Sequence, residues 1–162
     1  MNGGRLPGRR IWLGRCAVGM MLAAGSAARS AAPAPDAGQS PPGFAPLRER
    51  GAFDLALGDC EAAIEQLVVP QLGRLGYARQ ASSDATAGWT QLQAYYDQVL
   101  GSDWRVQSQF PPQHRGFKLR VWQRSGWLPQ QPVFCAAWLD ERVQVGERSL
   151  QLLVLAASRH GG

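Results

Sequence analysis

The 162-residue sequence predicts an α+β domain in which a mostly antiparallel sheet of four to five strands carries two helices packed on one face. Two observations carry this prediction. Between positions 59 and 100, apolar residues recur at intervals of three and four, the spacing of amphipathic helices. From Trp104 onward, apolar and polar residues alternate, the spacing of strands. Because the helical segments precede the strands instead of alternating with them, an antiparallel sheet is favoured.

The first predicted helix begins at Asp59, a residue type that suits an N-cap, and ends at Gly76. Its apolar face contains five residues at helical spacing, which are Ile64, Leu67, Val68, Leu72 and Leu75. Pro70 interrupts this run and predicts a kink or break near Val68. Residues 77–81 are compatible with a short strand.

The second predicted helix follows Asp84 or Thr86 and ends at Gly101. One side of it is apolar and comprises Trp89, Leu92, Tyr96, Val99 and Leu100. Asp97 and Asp103 flank the Gly101 turn, and we expect both to be solvated carboxylates.

Three alternating runs, at residues 104–110, 117–121 and 133–139, predict strands. A short apolar segment at residues 143–145 lies between two turn candidates. Residues 150–157 are apolar on both faces, which predicts a central strand covered on both sides.

The amino terminus predicts an export signal over residues 1–30. It holds five arginines and no acidic residue, and residues 16–25 form an apolar and small-residue stretch too short for the roughly 20 residues that span a bilayer. The run from Arg9 to Leu13 resembles the twin-arginine export signal, although paired arginines also occur in ordinary leaders. We therefore expect a periplasmic or secreted protein with no transmembrane segment after cleavage of the signal.

Residues 31–46, rich in alanine, proline and glycine, predict a flexible spacer before a single domain at residues 47–159. The chain has 17 basic and 12 acidic residues, and removal of the five arginines of the leader leaves 12 of each. A nearly neutral mature protein argues against nucleic acid as a partner, because it lacks a global basic field.

The segment at residues 92–104 contains an aromatic pair at Tyr95 and Tyr96, a trailing Leu100, a glycine turn and then Trp104. It resembles a recurring pattern in small exported bacterial α+β proteins of unassigned function. In that pattern, the helix leads through a tight turn into a tryptophan that begins a β-meander. The resemblance implies the fold and carries no chemistry with it.

Two cysteines remain in the mature chain, and a disulfide is the expected state of such a pair in an oxidising compartment. Cys60 falls on the apolar face of the first helix, and Cys135 is in phase with the apolar residues of a strand. Both side chains are therefore expected to face the core. We expect a Cys60–Cys135 disulfide, with a redox or metal role as the alternative.

One strand face is the candidate binding site. Alternation places Lys118, Arg120, Trp122 and Arg124 on the same side of a strand, and Arg105 on the preceding strand is expected to lie beside them. Three cations around an indole suit an acidic partner, either a protein or an anionic envelope ligand. The alternative is the solvated face of a sheet.

No catalytic or metal-binding motif is found in the sequence, no cofactor is expected, and His114 and His160 lack ligand-spaced partners. We therefore expect a protein that acts by binding, such as an inhibitor, an immunity protein or an envelope-accessory protein. A module for glycan or peptidoglycan is the alternative, with three candidate sugar-stacking rings at Trp89, Trp127 and Trp138. A small hydrolase has the least support.

Overall fold

The structure is a computed structural model that describes residues 35–127 and 130–159. The predicted signal peptide at residues 1–30 and His160 lie outside the described residues. No helix in the described part of the chain is long and apolar enough to cross a membrane.

The described residues form an α+β fold with an antiparallel sheet, as predicted, but with eight strands and three helices. The strand order is β1-β2-β8-β6-β5-β3, with β4 paired to β5 and β7 paired to β8. The helices are α1 (Phe53–Leu67), α2 (Val69–Leu72) and α3 (Trp89–Leu100). The strands are β1 (Ala45–Pro46), β2 (Leu75–Ser82), β3 (Trp104–Val106), β4 (Gln113–His114), β5 (Phe117–Arg124), β6 (Val133–Leu139), β7 (Val143–Val145) and β8 (Arg148–Ser158). The prediction of four to five strands missed mainly elements of two or three residues, which are too short to show a period.

The central position of β8 confirms the prediction for residues 150–157. This strand lies between β2 and β6, and its residues from Leu150 to Ala157 are buried. All seven residues of β6 are buried as well. A strand buried on both faces needs a layer on each side of the sheet.

The two long helices supply these layers from opposite faces, so the prediction that both helices pack on one face is wrong. Leu57, Cys60 and Ile64 of α1 share a core cluster, here called the α1-side cluster, with odd-numbered residues of β5 and β6. Leu92, Tyr96 and Leu100 of α3 share a second cluster, here called the α3-side cluster, with even-numbered residues of the same strands. Since side chains alternate along a strand, the two clusters lie on opposite faces of the sheet.

Helix α1 begins at Phe53, six residues before the predicted Asp59. Phe53 and Leu57 extend the apolar face by about one and a half turns. The carboxylate that stabilises its start belongs to Asp54, whose Oδ2 accepts a 3.0 Å hydrogen bond from the backbone N–H of Gly51. The predicted break near Val68 is confirmed, because α1 ends at Leu67 and α2 begins at Val69.

The described part of the predicted spacer, residues 35–46, contacts the domain. Ala37 is buried in the α3-side cluster, and Phe44 packs edge-on against Trp138 with ring centroids 5.9 Å apart. The Oγ of Ser40 donates a 2.6 Å hydrogen bond to the buried Gln80, and β1 pairs with β2. Apolar side chains at intervals in a proline-rich segment thus attach it to the sheet edge, where a free spacer was expected.

The predicted disulfide is not formed. Cys60 and Cys135 are both buried in the α1-side cluster, as their positions indicated, but both are free thiols. Burial raises the pKa of the Cys60 thiol to about 12, and burial also raises the pKa of the Cys135 thiol. A disulfide needs closely defined Cα and Cβ separations, and membership of one core cluster does not supply them. The two cysteines act here as small apolar side chains.

Candidate functional site

Strand β5 carries Lys118, Arg120, Trp122 and Arg124 on the face that α3 covers. Trp122 belongs to the α3-side cluster, whereas Phe117, Leu119 and Val121 belong to the α1-side cluster. The predicted alternation therefore holds along β5. The face itself is only partly open to solvent, because α3 lies over its middle.

Trp122 is 1% exposed and cannot contact a partner. Its Nε1–H donates a 2.8 Å hydrogen bond to Oδ1 of Asp97 on α3. The Nη2 of Arg120 donates to both oxygens of Asp97, at 3.1 and 2.8 Å, and the Arg120 guanidinium lies 5.3 Å from the centroid of the Trp122 ring. Asp97, expected to be a solvated carboxylate, thus joins α3 to the sheet through two side chains of β5.

Lys118 and Arg124, the outer two of the row of four side chains on this face of β5, differ in their charge partners. Lys118 forms a 3.1 Å salt bridge with Asp140. Arg124 is half-buried and forms no salt bridge within the described residues. Of the four side chains predicted to form a cationic patch, Arg124 therefore keeps an uncompensated charge.

The strand register places Arg105 on the opposite face of the sheet from this row. Arg105 pairs with Gln123, whereas Trp104 pairs with Arg124. Directly opposed residues project their side chains to the same face, so Arg105 lies beside Gln123 and away from Arg124. The structure brings these two arginines to the same end of the sheet but not to the same face.

The three tryptophans considered for glycan stacking have different environments. Trp138 is 5% exposed and contacts Trp89, with ring centroids 6.2 Å apart. Trp89 is half-buried against the α3-side cluster. Trp127, in the segment after β5, is 91% exposed. Trp127 is the ring of the three that presents its faces to solvent.

Antiparallel pairing gathers four arginines at one end of the sheet. Arg74 directly precedes β2, Arg159 directly follows β8, Arg124 ends β5 and Arg105 lies near the start of β3. The register joins these positions, since Leu75 pairs with Ser158, Phe134 with Ala157, Gln123 with Val133, and Trp104 with Arg124. We call this surface, consisting of Arg74, Arg105, Arg124 and Arg159, the arginine end.

Within the part of the chain that the structure describes, none of these four arginines forms a salt bridge. Arg74, Arg105 and Arg159 are exposed. Asp103, directly before β3, is the one acidic residue that adjoins a strand terminus at this end in the described ranges. A positive local field is expected here although the mature chain is nearly neutral.

The opposite end of the sheet holds acidic as well as basic residues. Asp84 follows β2, Asp140 and Glu141 follow β6, and Glu147 precedes β8. Two basic residues at that end form salt bridges: Lys118 with Asp140, at 3.1 Å, and Arg148 with Glu49, with the arginine Nη2 2.6 Å from the glutamate Oε1. The two ends therefore differ in pairing, since salt bridges form at this end and none involves the four arginines of the arginine end within the described ranges.

A cavity of about 450 Å³ opens at the arginine end. Its described lining consists of Leu72, Gly73, Arg74, Gln130, Gln131, Pro132, Ser158 and Arg159. Among these described residues there are two arginines and no acidic side chain. Sequence reasoning missed Arg74 and Arg159 because they are neighbours only through the pairing of β2 with β8.

The described residues contain no group of three histidine, cysteine or acidic side chains that could hold a metal ion. The ring of His114 stacks on Phe117 with centroids 4.9 Å apart, and its Nε2 lies 2.8 Å from the carbonyl oxygen of Pro111. The arrangement at the arginine end suits recognition of negative charge. No protein-family model matches the chain, and comparison with curated proteins and with solved structures gives no match.

Proposed function

We propose that the mature protein is an exported, periplasmic binding protein that recognises an acidic protein partner through the arginine end. The observation that carries the proposal is the collection of four arginines at one end of a nearly neutral domain, none of which forms a salt bridge with another described residue. The predicted signal peptide supports the location. An inhibitor, an immunity protein or an envelope-accessory protein would act in this way.

The position of Trp127 supports recognition at the same end. It follows Arg124 by three residues and is almost fully exposed. Interface hot spots are enriched in tryptophan and arginine, because both bury a large apolar surface and also make directional polar contacts. An exposed indole at the same end of the sheet as several arginines is the composition expected of such an anchor.

A binding experiment with periplasmic extract tests the proposal. The immobilised wild-type domain should retain an acidic protein, and retention should fall as salt is raised, because charge complementarity at exposed groups is screened. The double variant Arg105→Glu/Arg124→Glu should lose that protein. The matched control is Arg48→Glu/Arg115→Glu, since both of these arginines are exposed, form no salt bridge among the described residues and lie away from the arginine end.

Equal retention by both double variants, or no retained protein, would refute binding through the arginine end. A glycan-binding module is the second candidate, favoured by the exposed Trp127 alone. It predicts retention of the wild-type domain on peptidoglycan, insensitivity of that retention to Arg105→Glu/Arg124→Glu, and its loss in Trp127→Ala.

A further inference from the structure

The cavity at the arginine end is lined by two arginines, Arg74 and Arg159, from neighbouring strand ends. Arg159 extends the pairing of β8 with β2 by one residue, because its backbone N–H donates a 3.5 Å hydrogen bond to the carbonyl oxygen of Arg74. The two side chains are therefore cross-strand neighbours that line the same cavity. Like charges directly opposite each other destabilise an antiparallel pair.

Within the described residues, this arginine pair has no acidic partner. The described lining contains no acidic side chain, and neither Arg74 nor Arg159 forms a salt bridge in the described ranges. By contrast, Arg79 on the same strand β2 holds both Glu61, at 2.7 Å, and Asp54, at 2.9 Å. The charge of the Arg74–Arg159 pair is thus available to an external anion.

The remaining lining groups favour a carboxylate attached to a larger molecule. Leu72 and Pro132 supply apolar wall, and the exposed Gln130 supplies an amide. The Oγ of Ser158 accepts a 2.7 Å hydrogen bond from the backbone N–H of Val133, which leaves the Ser158 hydroxyl proton free to donate elsewhere. A guanidinium matches a carboxylate with two parallel hydrogen bonds.

We propose that the cavity between Arg74 and Arg159 binds a carboxylate group of the acidic partner, supplied by an acidic side chain or by a chain end. A volume of about 450 Å³ has room for such a group together with the residues that flank it. This inference rests on the proposed function, because it assigns the cavity to the partner recognised at the arginine end. It adds the chemical group that is recognised and the two residues that hold it.

Titration with short peptides, followed by the backbone amide signals of Ser158 and Arg159 in nuclear magnetic resonance spectra, tests the proposal. The first probe is acetyl-Gly-Asp-Gly-amide, which carries a side-chain carboxylate. The second is acetyl-Gly-Asn-Gly with a free carboxyl end, and the third is its amidated form, which has no charge. At least one of the two acidic probes should bind and the uncharged probe should not. The acidic probe that binds identifies the source of the carboxylate.

Variants identify the groups responsible. Arg74→Gln/Arg159→Gln should weaken binding of the acidic probe at least about tenfold, because each arginine loses a charge-assisted hydrogen bond. Arg105→Gln/Arg124→Gln, at the same end but outside the cavity lining, should change it by no more than about twofold. Both pairs should melt close to the wild-type temperature, since Arg74 and Arg159 are exposed and none of the four forms a salt bridge in the described part.

The inference is overturned if neither acidic probe shifts the Ser158 and Arg159 signals, if the uncharged probe shifts them equally, or if the two variant pairs weaken binding alike. Its failure is separable from that of the proposed function. Loss of the partner in Arg105→Glu/Arg124→Glu without peptide binding would remove the carboxylate site and leave the function. Peptide binding without any retained acidic protein would leave the carboxylate site and remove the proposed function.

Discussion

Replacement of Asp97 by alanine should destabilise the domain although this residue is 46% exposed at its side chain. The substitution removes the acceptor of the Trp122 Nε1–H and of both Arg120 hydrogen bonds. An unsatisfied buried donor costs about 1–3 kcal/mol, and an exposed ion pair contributes about 0.2–1 kcal/mol. Because water can enter where a half-exposed carboxylate stood, we take values near the lower ends of both ranges. The free energy of unfolding should therefore fall by about 1.5 kcal/mol in total.

Urea unfolding followed by tryptophan fluorescence measures this loss. The matched control is Asp103→Ala, since Asp103 is an exposed aspartate of the same α3–β3 region and its backbone contact to the N–H of Ser125 survives the substitution. We expect the control to change the free energy of unfolding by less than about 0.5 kcal/mol.

A double-mutant cycle isolates the Asp97–Trp122 hydrogen bond. Trp122→Phe removes the donor together with part of the ring, and the cycle with Asp97→Ala cancels the cost of the lost volume. We expect a coupling energy of about 1 kcal/mol between the two side chains. The reasoning fails if Asp97→Ala costs no more than Asp103→Ala, or if the two substitutions at Asp97 and Trp122 are additive.

Three further predictions concern the packing. Arg120→Glu should destabilise the domain by at least about 2 kcal/mol, because it sets a carboxylate against Asp97 beside a buried indole. Arg124→Glu, the control, should cost less than about 0.5 kcal/mol. Equal melting temperatures for the two variants would contradict this prediction. Cys60 and Cys135 should resist alkylation in the native state and both react after unfolding, with no effect of reductant on the melting temperature. Burial raises the pKa of the Cys60 thiol from its ordinary value of 9.0 to about 12. The contribution of the buried neutral thiol to the free energy of unfolding should therefore be complete below pH 9 and decline as the pH rises toward 12. A free energy of unfolding that stays constant over this pH range would contradict the prediction.

Periodicity predicted the elements whose length shows a repeat. The end of α3 at Gly101 followed from the helical spacing and from the residue type, and Gly101 adopts a φ of 74°, which other residues rarely tolerate. The central strand β8 followed from its uninterrupted apolar run. Strands β1, β4 and β7 have two or three residues each, so only pairing with longer neighbours defines them.

The face of β5 shows why the candidate site could not be read from one strand. Lys118, Arg120 and Arg124 look like a solvated face, but α3 covers it and supplies Asp97, 23 residues before Arg120. A signal for this second layer was present in β6, where Phe134 and Trp138 leave no polar face. Arg74 and Arg159 are 85 positions apart in the chain, and no local pattern joins them.

Photocrosslinking from position 127 tests the central claim, that the arginine end contacts an acidic protein. Trp127→p-benzoylphenylalanine, expressed with the leader in cells and irradiated, should yield one crosslinked acidic protein in the periplasmic fraction. The same photoreactive residue at Leu55, an exposed position on α1, should yield none. The crosslink should disappear when Arg105→Glu/Arg124→Glu is added. An identical crosslinked protein from both positions, or a crosslink from position 127 that survives reversal of the two arginines, would contradict recognition through the arginine end.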